Sequence, residues 1–153
     1  MSGDDGAGRP LQRTRGVRLG IDVGSVRVGV AASDPDGLLA TPVTTLARDA
    51  GDLDAIADLV RERDAIEVVV GLPRRLSGEI GPAARAAGEY ARALADRIAP
   101  VPVRTVDERM TTAAASKDLS RHGVSTRKQR PVIDQLAATL ILQGWLDQRK
   151  QRR

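Results

Sequence analysis

Three acidic residues lie beside apolar segments, where their carboxylates could do chemistry. Asp22 closes the apolar run 19–22, Glu108 follows the strand-like run 101–106, and Asp134 lies near the start of a C-terminal apolar helix pattern. A carboxylate at the edge of a core is costly unless it is paired, hydrogen-bonded or bound to a metal ion. If the three acids converge, they could bind two Mg²⁺ ions that hold the attacking and leaving oxygens of a phosphodiester in line. The acids therefore favour metal-assisted phosphodiester hydrolysis.

Each acid also has a structural explanation. Asp22 precedes a Gly-Ser turn that its side chain could cap, and Asp134 would be favoured in the first turn of a helix by the helix dipole. Glu108 lies between an aspartate and an arginine, a sequence typical of a surface ion pair. Asp107 competes with Glu108, because successive residues at the end of a strand point in opposite directions. The residues alone leave open which of these two neighbours lies beside Asp22.

Seven basic side chains are candidates for contacts with the phosphates of a nucleic acid. They are Arg27, Arg74, Arg75, Arg109, Arg127, Lys128 and Arg130. The pair at 74–75 follows the predicted fourth strand and the group at 127–130 precedes Asp134, so both could lie near the carboxylates. The simpler alternative is a solvated surface charge, or for Arg109 an ion pair with Asp107. We expect this set to bind phosphate without reading bases.

The composition restricts the class of protein. The 153 residues carry a formal charge of +4, and arginine provides nearly all of the basic side chains. Arginine forms bidentate contacts with phosphate, although a GC-rich genome also enriches arginine without functional meaning. Tyr90 and Trp145 are the only aromatic residues, which argues against recognition by base stacking. The absence of cysteine and the single histidine exclude disulfides, thiolate metal sites and histidine-based zinc sites.

The order of the predicted elements indicates an α/β fold. An antiparallel hairpin over 17–33 precedes a strand over 38–46, which Pro42 places near a sheet edge. The further elements are a helix from Asp52, a strand over 66–73, a helix from Pro82, a strand over 101–106, a short helix over 113–119 and a final helix after Pro131. This order predicts a mixed five-stranded sheet with helices on both faces. Ligands of such sheets bind at the carboxyl ends of the parallel strands.

We expect one folded domain over residues 17–147. The leader 1–16 has almost no apolar content and is expected to be disordered, and residues 148–153 form a basic tail. No apolar run approaches the roughly 20 residues of a membrane span. The sequence therefore predicts a cytoplasmic protein without membrane contact.

Four motifs resemble the YqgF/RuvX family. They are Asp-x-Gly-Ser-x-Arg-x-Gly at 22–29, Val-Val-Gly-Leu-Pro at 69–73, Asp-Glu-Arg-x-Thr at 107–111 and Ile-Asp-x-x-Ala-Ala at 133–138. The resemblance extends from about residue 18 to about residue 147, with all four motifs in order. It implies a ribonuclease H-like fold of strand order 3-2-1-4-5. It also implies a Mg²⁺- or Mn²⁺-dependent nuclease that acts on precursor rRNA to mature the 5′ end of 16S rRNA.

The resemblance also assigns the acids. By motif, Asp22, Glu108 and Asp134 match the metal ligands of the family, so Glu108 is preferred to Asp107. Nucleases of the broader superfamily, such as RuvC, place a carboxylate at the end of the fourth strand, where this chain has Gly71-Leu72-Pro73. Glu108, from the fifth strand, would then take the place of that carboxylate.

Other functions are compatible with these residues. A Holliday-junction-resolvase-like DNA endonuclease is the nearest alternative, and because it cuts two symmetric strands it would need a homodimer rather than a monomer. RNA is preferred to DNA on the family resemblance alone, since no residue is seen to read a 2′-hydroxyl. A catalytically silent nucleic-acid-binding module would not need the three acids. An actin-like ATPase has a similar Asp-x-Gly hairpin but requires two lobes.

Replacing Arg127 and Lys128 by alanine tests the basic segment before Asp134. We expect weaker binding to all nucleic-acid sequences alike, because backbone phosphates carry no sequence information. The slope of log K against log salt should fall by roughly 0.7–0.9 for each phosphate that is no longer bound. Binding titrations at several salt concentrations measure this slope, and an unchanged slope would mean that the segment is only solvated.

Overall fold

Five strands form a mixed sheet in the order β3-β2-β1-β4-β5. The computed structural model describes residues 15–74, 77–110 and 129–151. The strands are β1 Arg18–Val23, β2 Arg27–Ser33, β3 Ala40–Ala47, β4 Glu67–Leu72 and β5 Val103–Asp107. Strand β1 lies at the centre, antiparallel to β2 and parallel to β4. The strand order is the one that the family resemblance implied.

The first two strands form a tight hairpin around Gly24 and Ser25. The Gly24 N–H donates to the Arg27 carbonyl at 2.9 Å, which closes the turn. Asp22 pairs with Gly29 across the hairpin, so the predicted acid lies just before the turn and opposite a residue without a side chain. Strand β3 extends the antiparallel pairing at the sheet edge, where its Pro42 is tolerated as predicted.

Helices cover both faces of the sheet and form two hydrophobic cores. Helices α1 Asp52–Glu62 and α2 Pro82–Ile98 pack on one face, and α3 Arg130–Gln151 packs on the other. The first core is built around the buried residues Leu19, Ile21, Val28, Val30, Ile56, Val68, Val70 and Leu94. The second contains Ala31, Val69, Val106, Ala138, Ile141, Leu142 and Leu146. Alternation along each strand divides the apolar residues between the two cores.

Helix α1 begins where the sequence predicted, whereas α3 begins earlier than predicted. Gly51 precedes α1, and Asp52 is its first helical residue, buried and accepting a hydrogen bond from the Leu53 N–H at 2.7 Å. Helix α3 starts at Arg130, before the proline where the sequence placed its start, because proline is tolerated within a first turn. Asp134 is consequently its fifth residue and lies beyond the first turn. The short helix predicted over 113–119 lies outside the described residues.

The basic tail begins as part of α3. The helix continues to Gln151, and Arg149 Nη1 donates to Glu67 Oε1 at 3.0 Å. This contact fixes the end of the helix to the start of β4. No helix formed by residues 15–74, 77–110 and 129–151 has the length and apolar character that a membrane span requires.

Three glycines of the sheet allow α3 to approach it closely. A Cβ atom at Gly20 would lie 2.6 Å from Leu142 Cβ, and one at Gly71 would lie 2.6 Å from Ile141 Cδ1. A Cβ at Gly29 would lie 2.1 Å from the backbone oxygen of Asp134. At Gly20 and Gly29 such contacts cannot be tolerated without movement of the helix, whereas at Gly71 the end of the Ile141 side chain can turn aside. The glycines therefore set the distance between α3 and strands β1, β2 and β4.

The variant Gly29→Ala should lower stability by about 1–3 kcal/mol or more, because the new methyl group meets backbone that cannot rotate away. Gly88 in α2 provides a matched control, since a Cβ there has no heavy atom within 4 Å. Gly88→Ala should raise stability by about 0.5–1 kcal/mol through its better helix propensity. Chemical denaturation measures both changes, and equal stability of Gly29→Ala and wild type would disprove the close approach.

Candidate active site

Asp22 lies on the face of the sheet that α3 covers. Side chains alternate along a strand, so Gly20 and Asp22 share a face, and Gly20 lies directly beneath Leu142 of α3. The Asp22 residue is only 4% exposed. Its pairing with Gly29 also places it beside the first turns of α3, because Gly29 lies beneath the backbone of Asp134. Asp22 and Asp134 are thus brought to the same end of the sheet.

Asp134 forms an ion pair with Arg27, the first residue of β2. Arg27 Nε donates to Asp134 Oδ2 at 2.7 Å, and both side chains are partly buried. The sequence assigned these two residues to metal and phosphate respectively, and the structure brings them into contact with each other. Since Asp134 lies beyond the first turn of α3, the helix dipole does little to explain an aspartate here.

The neighbours Asp107 and Glu108 have different surroundings. Asp107 ends β5 and binds Arg109, accepting the backbone N–H at 2.9 Å and the guanidinium Nη2 at 2.6 Å. These hydrogen bonds raise the pKa of Arg109 and hold the pKa of the Asp107 carboxyl below its ordinary value. The charge of Arg74 lowers the pKa of Asp107 further. Asp107 is therefore the partner of Arg109, which is one of the roles considered from the sequence.

Glu108 turns to the α3 face and lies over Gly71. It begins a one-turn 3₁₀ helix, Glu108–Met110, and is 2% exposed. Its Cγ lies 3.1 Å from the position that a Cβ would occupy at Gly71. Ile21 pairs with Val70, so Asp22 and Gly71 are the next residues along these two adjacent strands. Glu108 thus extends from β5 across β4 in the direction of Asp22.

A cleft of about 970 Å³ opens beside Asp22 and Asp134. Three arginines, Arg27, Arg48 and Arg130, also line it. Arg48 was not among the residues selected from the sequence. It directly follows β3, and only the pairing of Ala47 with Arg27 brings it to the cleft. That pairing could not be inferred from the sequence, so nothing there distinguished Arg48 from other surface arginines.

Of the remaining predicted cations, two lie within the described residues. Arg130 is exposed at the start of α3 and lines the cleft, whereas Arg74 lies near Asp107 just after β4. Arg75, Arg127 and Lys128 lie outside the described residues.

The predicted acids do not form a ready-made metal cluster. Within residues 15–74, 77–110 and 129–151, no three acidic, histidine or cysteine side chains are grouped as a metal ion would require. The ion pair with Arg27 directs one oxygen of Asp134 to a guanidinium. The metal-binding role of Asp22, Glu108 and Asp134 therefore stays a prediction.

Comparison with known proteins places this arrangement in a family. A family model described as "RuvX: Holliday junction resolvase" matches residues 16–148. A relative from Rhodococcus opacus is 58% identical over 141 residues, covering 88% of this chain and 79% of its own. One from Mycobacteroides abscessus is 58% identical over 139 residues, covering 89% and 84%. Both are named "Putative pre-16S rRNA nuclease".

Two solved structures share the fold. RuvC of Thermus thermophilus in complex with a Holliday junction substrate aligns with a TM-score of 0.54 at 16% identity, covering 89% of this chain and 96% of that one. The fowlpox virus Holliday junction resolvase aligns with a TM-score of 0.50 at 14% identity, covering 90% and 99%. At these identities the likeness concerns the fold alone. Together with the strand order, it shows a ribonuclease H-like fold.

The stabilities of Asp107→Asn and Glu108→Gln should separate the two neighbours. Asp107→Asn should cost about 1 kcal/mol, because it weakens a cap on the following turn. Because its pKa is lowered in the folded state, the Asp107 carboxylate stabilises the fold at any pH above its ordinary pKa of 3.8. This contribution is lost as the pH falls through the lowered pKa. Glu108→Gln should keep or raise the stability, because a neutral amide costs less to bury than a carboxylate.

Thermal unfolding at pH 7 and near pH 3 measures both effects. A large loss of stability in Glu108→Gln, with none in Asp107→Asn, would reverse the assignment of these side chains.

Proposed function

We propose a nuclease function for this chain, which belongs to the RuvX family, and precursor 16S rRNA as its substrate. The observation that carries the proposal is the cleft in which two acids, Asp22 and Asp134, lie beside three arginines. Acids that can bind a metal ion and cations that can bind phosphate are the two groups that phosphodiester hydrolysis requires. The cleft lies at the carboxyl end of β1, where ligands of such sheets bind.

The acidic side chains fit a divalent metal ion by their chemistry. Mg²⁺ and Mn²⁺ prefer carboxylate oxygens, and Asp22 and Glu108 are buried carboxylates on the same face of the sheet. We propose that Asp22, Glu108 and Asp134 hold two such ions. When bound, divalent ions lower the pKa of a bound water and stabilise the charge that develops on the phosphate.

The basic residues bind and orient the substrate in this proposal. Arg27 and Arg130 lie on the wall of the cleft, and their guanidinium groups suit the non-bridging oxygens of a phosphodiester. Arg27 is in addition bound to Asp134, so it orients this carboxylate as well as the phosphate. Arg74, Arg75, Arg109, Arg127 and Lys128 would extend the contact along the backbone. Binding of this kind is independent of sequence.

A four-way DNA junction is the second candidate substrate. It is favoured by the description of the matching family as a Holliday junction resolvase. Junction cleavage would require two copies of the chain to act on symmetric strands. The monomeric or dimeric state and the cytoplasmic location stay predictions.

Cleavage of matched substrates tests the proposed function. The full chain is incubated with a precursor of 16S rRNA that carries the 5′ extension, and separately with a four-way DNA junction. Mg²⁺, Mn²⁺ or EDTA is added to each. We expect cleavage of the RNA with either ion and none with EDTA. Cleavage of the junction alone, by a dimeric species, would favour the second candidate, and cleavage of neither would reject the nuclease function.

The variant Asp22→Asn should lower the cleavage rate by about a thousandfold while the fold and substrate affinity are kept, because several kcal/mol of transition-state stabilisation are removed. Glu108→Gln should be similarly inactive, and Asp107→Asn should retain activity. Asp96→Asn on the exposed surface of α2 serves as the control. Rates measured under single-turnover conditions decide the roles. More than a tenth of the wild-type rate in Asp22→Asn would exclude it as a principal ligand.

A further inference from the structure

We infer that Arg48 is a further phosphate-binding residue of the cleft, held in a fixed position by the turn after Asp22 and by the buried pair Tyr90 and Asp52. The inference deepens the proposed nuclease function and rests on it. Arg48 lines the same cleft as Asp22, and its side chain is 30% exposed. The residue is therefore accessible to a ligand while its surroundings restrain it.

Both the backbone and the side chain of Arg48 donate hydrogen bonds to the turn that follows Asp22. The backbone N–H of Arg48 donates to the Val26 carbonyl at 2.8 Å. Its Nη1 donates to the Gly24 carbonyl, also at 2.8 Å. These hydrogen bonds fix the guanidinium relative to the end of β1, which carries Asp22.

A buried aromatic ring supports the guanidinium from below. The central carbon of the Arg48 guanidinium lies 5.0 Å from the centre of the Tyr90 ring, a distance that allows a cation–π interaction. Arg48 Nε lies 3.8 Å from Asp52 Oδ2. Tyr90 and Asp52 are each 6% exposed, so the arginine rests on groups that belong to the core. Burial and the Asp52 carboxylate raise the pKa of the Tyr90 phenol, so the guanidinium packs on a neutral ring.

The guanidinium has donors left for a ligand. An arginine carries five N–H groups on three nitrogens, and the interactions of Arg48 with Gly24 and Asp52 use Nη1 and Nε. The N–H groups on Nη2, with the second one on Nη1, can donate to the non-bridging oxygens of a phosphodiester. Because the side chain is already restrained, binding would cost little of its conformational entropy.

The other two arginines of the cleft are held differently. Arg27 forms a direct ion pair with Asp134 at 2.7 Å, so much of its charge is compensated. Arg130 lies exposed at the first residue of α3. Arg48 lies 3.8 Å from its nearest carboxylate oxygen and is fixed mainly by neutral groups. Its charge is thus the best positioned of the three for a phosphate near Asp22.

A purely structural role is the competing explanation. Arg48 would then only brace the hairpin turn, and its removal would lower stability without changing how many phosphates the protein binds. The salt dependence of binding separates the two roles, because each bound phosphate contributes a fixed amount to the slope of log K against log salt.

The experiment uses the full chain carrying Asp22→Asn, so that the RNA probe is not cut, and a short RNA hairpin as the probe. Arg48→Gln is compared with Arg63→Gln, which removes an exposed arginine at the far end of α1. Arg48→Gln should weaken binding about tenfold at 0.15 M salt and lower the slope by roughly 0.7–0.9. Arg63→Gln should change neither. An unchanged slope in Arg48→Gln would overturn the inference.

A second variant keeps the test decisive if Arg48→Gln unfolds. Arg48→Lys retains the charge but lacks the planar fork, so it should keep the slope and bind at least about threefold more weakly. Affinity equal to that of the parent chain would overturn the inference. If the chain with Asp22 intact cleaves precursor rRNA and Arg48→Gln leaves the slope unchanged, the role of Arg48 is rejected and the proposed function stands. Absence of both binding and cleavage would reject the proposed function with it.

Discussion

The close approach of α3 to the sheet is the constraint on which the rest of the structure depends. The helix lies over Gly20, Gly29 and Gly71, and at each of them a methyl group would meet an atom of α3 at 2.6 Å or less. This proximity brings the backbone of Asp134 directly over β2 and thereby beside Asp22. It also leaves the space over Gly71 in which Glu108 lies. The arrangement of the acids is thus a consequence of how helix and sheet pack, because a larger side chain at Gly20 or Gly29 would push the helix away from the sheet.

On the sheet face that α3 covers, acidic side chains lie at both ends, and their surroundings differ. At the start of β4, Glu67 accepts from Arg18 at 2.8 Å, Arg149 at 3.0 Å and Arg104 at 3.3 Å, so the protein itself compensates this carboxylate. At the opposite end, Asp22 and Asp134 line an open cleft in which a ligand can contribute charge. The charge of a carboxylate surrounded by three guanidinium groups is compensated within the fold, whereas acids at an open cleft suit a site for cations and phosphate. Buried charge therefore belongs to the fold at the Glu67 end of the sheet and to the proposed function at the Asp22 end.

The sequence was sufficient for the architecture and for part of the site. Apolar alternation and proline positions predicted the five strands, and the four motifs implied their order, which the structure confirms. The side chains of Asp107 and Glu108 could not be placed relative to Asp22 from the residues alone, because their placement depends on which strand face α3 covers. Arg48 could not be found because its place depends on the pairing of β2 with β3, whose register shifts between Val30 and Ala31. A bulge of this kind shifts the register by one residue at a point that the sequence does not mark, so the β2 partner of each β3 residue could not be inferred.

The position of Glu108 gives a physical reason for the glycine at the end of β4. Glu108 follows β5, one strand further from β1 than β4, and its side chain lies over β4 on the face that α3 covers. A Cβ at Gly71 would lie only 3.1 Å from Glu108 Cγ, so the glycine gives the glutamate room to lie there. The glutamate is long enough to span one strand spacing of about 4.8 Å, which an aspartate is not. Gly71 and the buried Glu108 thus pack against each other, and a larger residue at position 71 would shift the carboxylate that the proposed site requires.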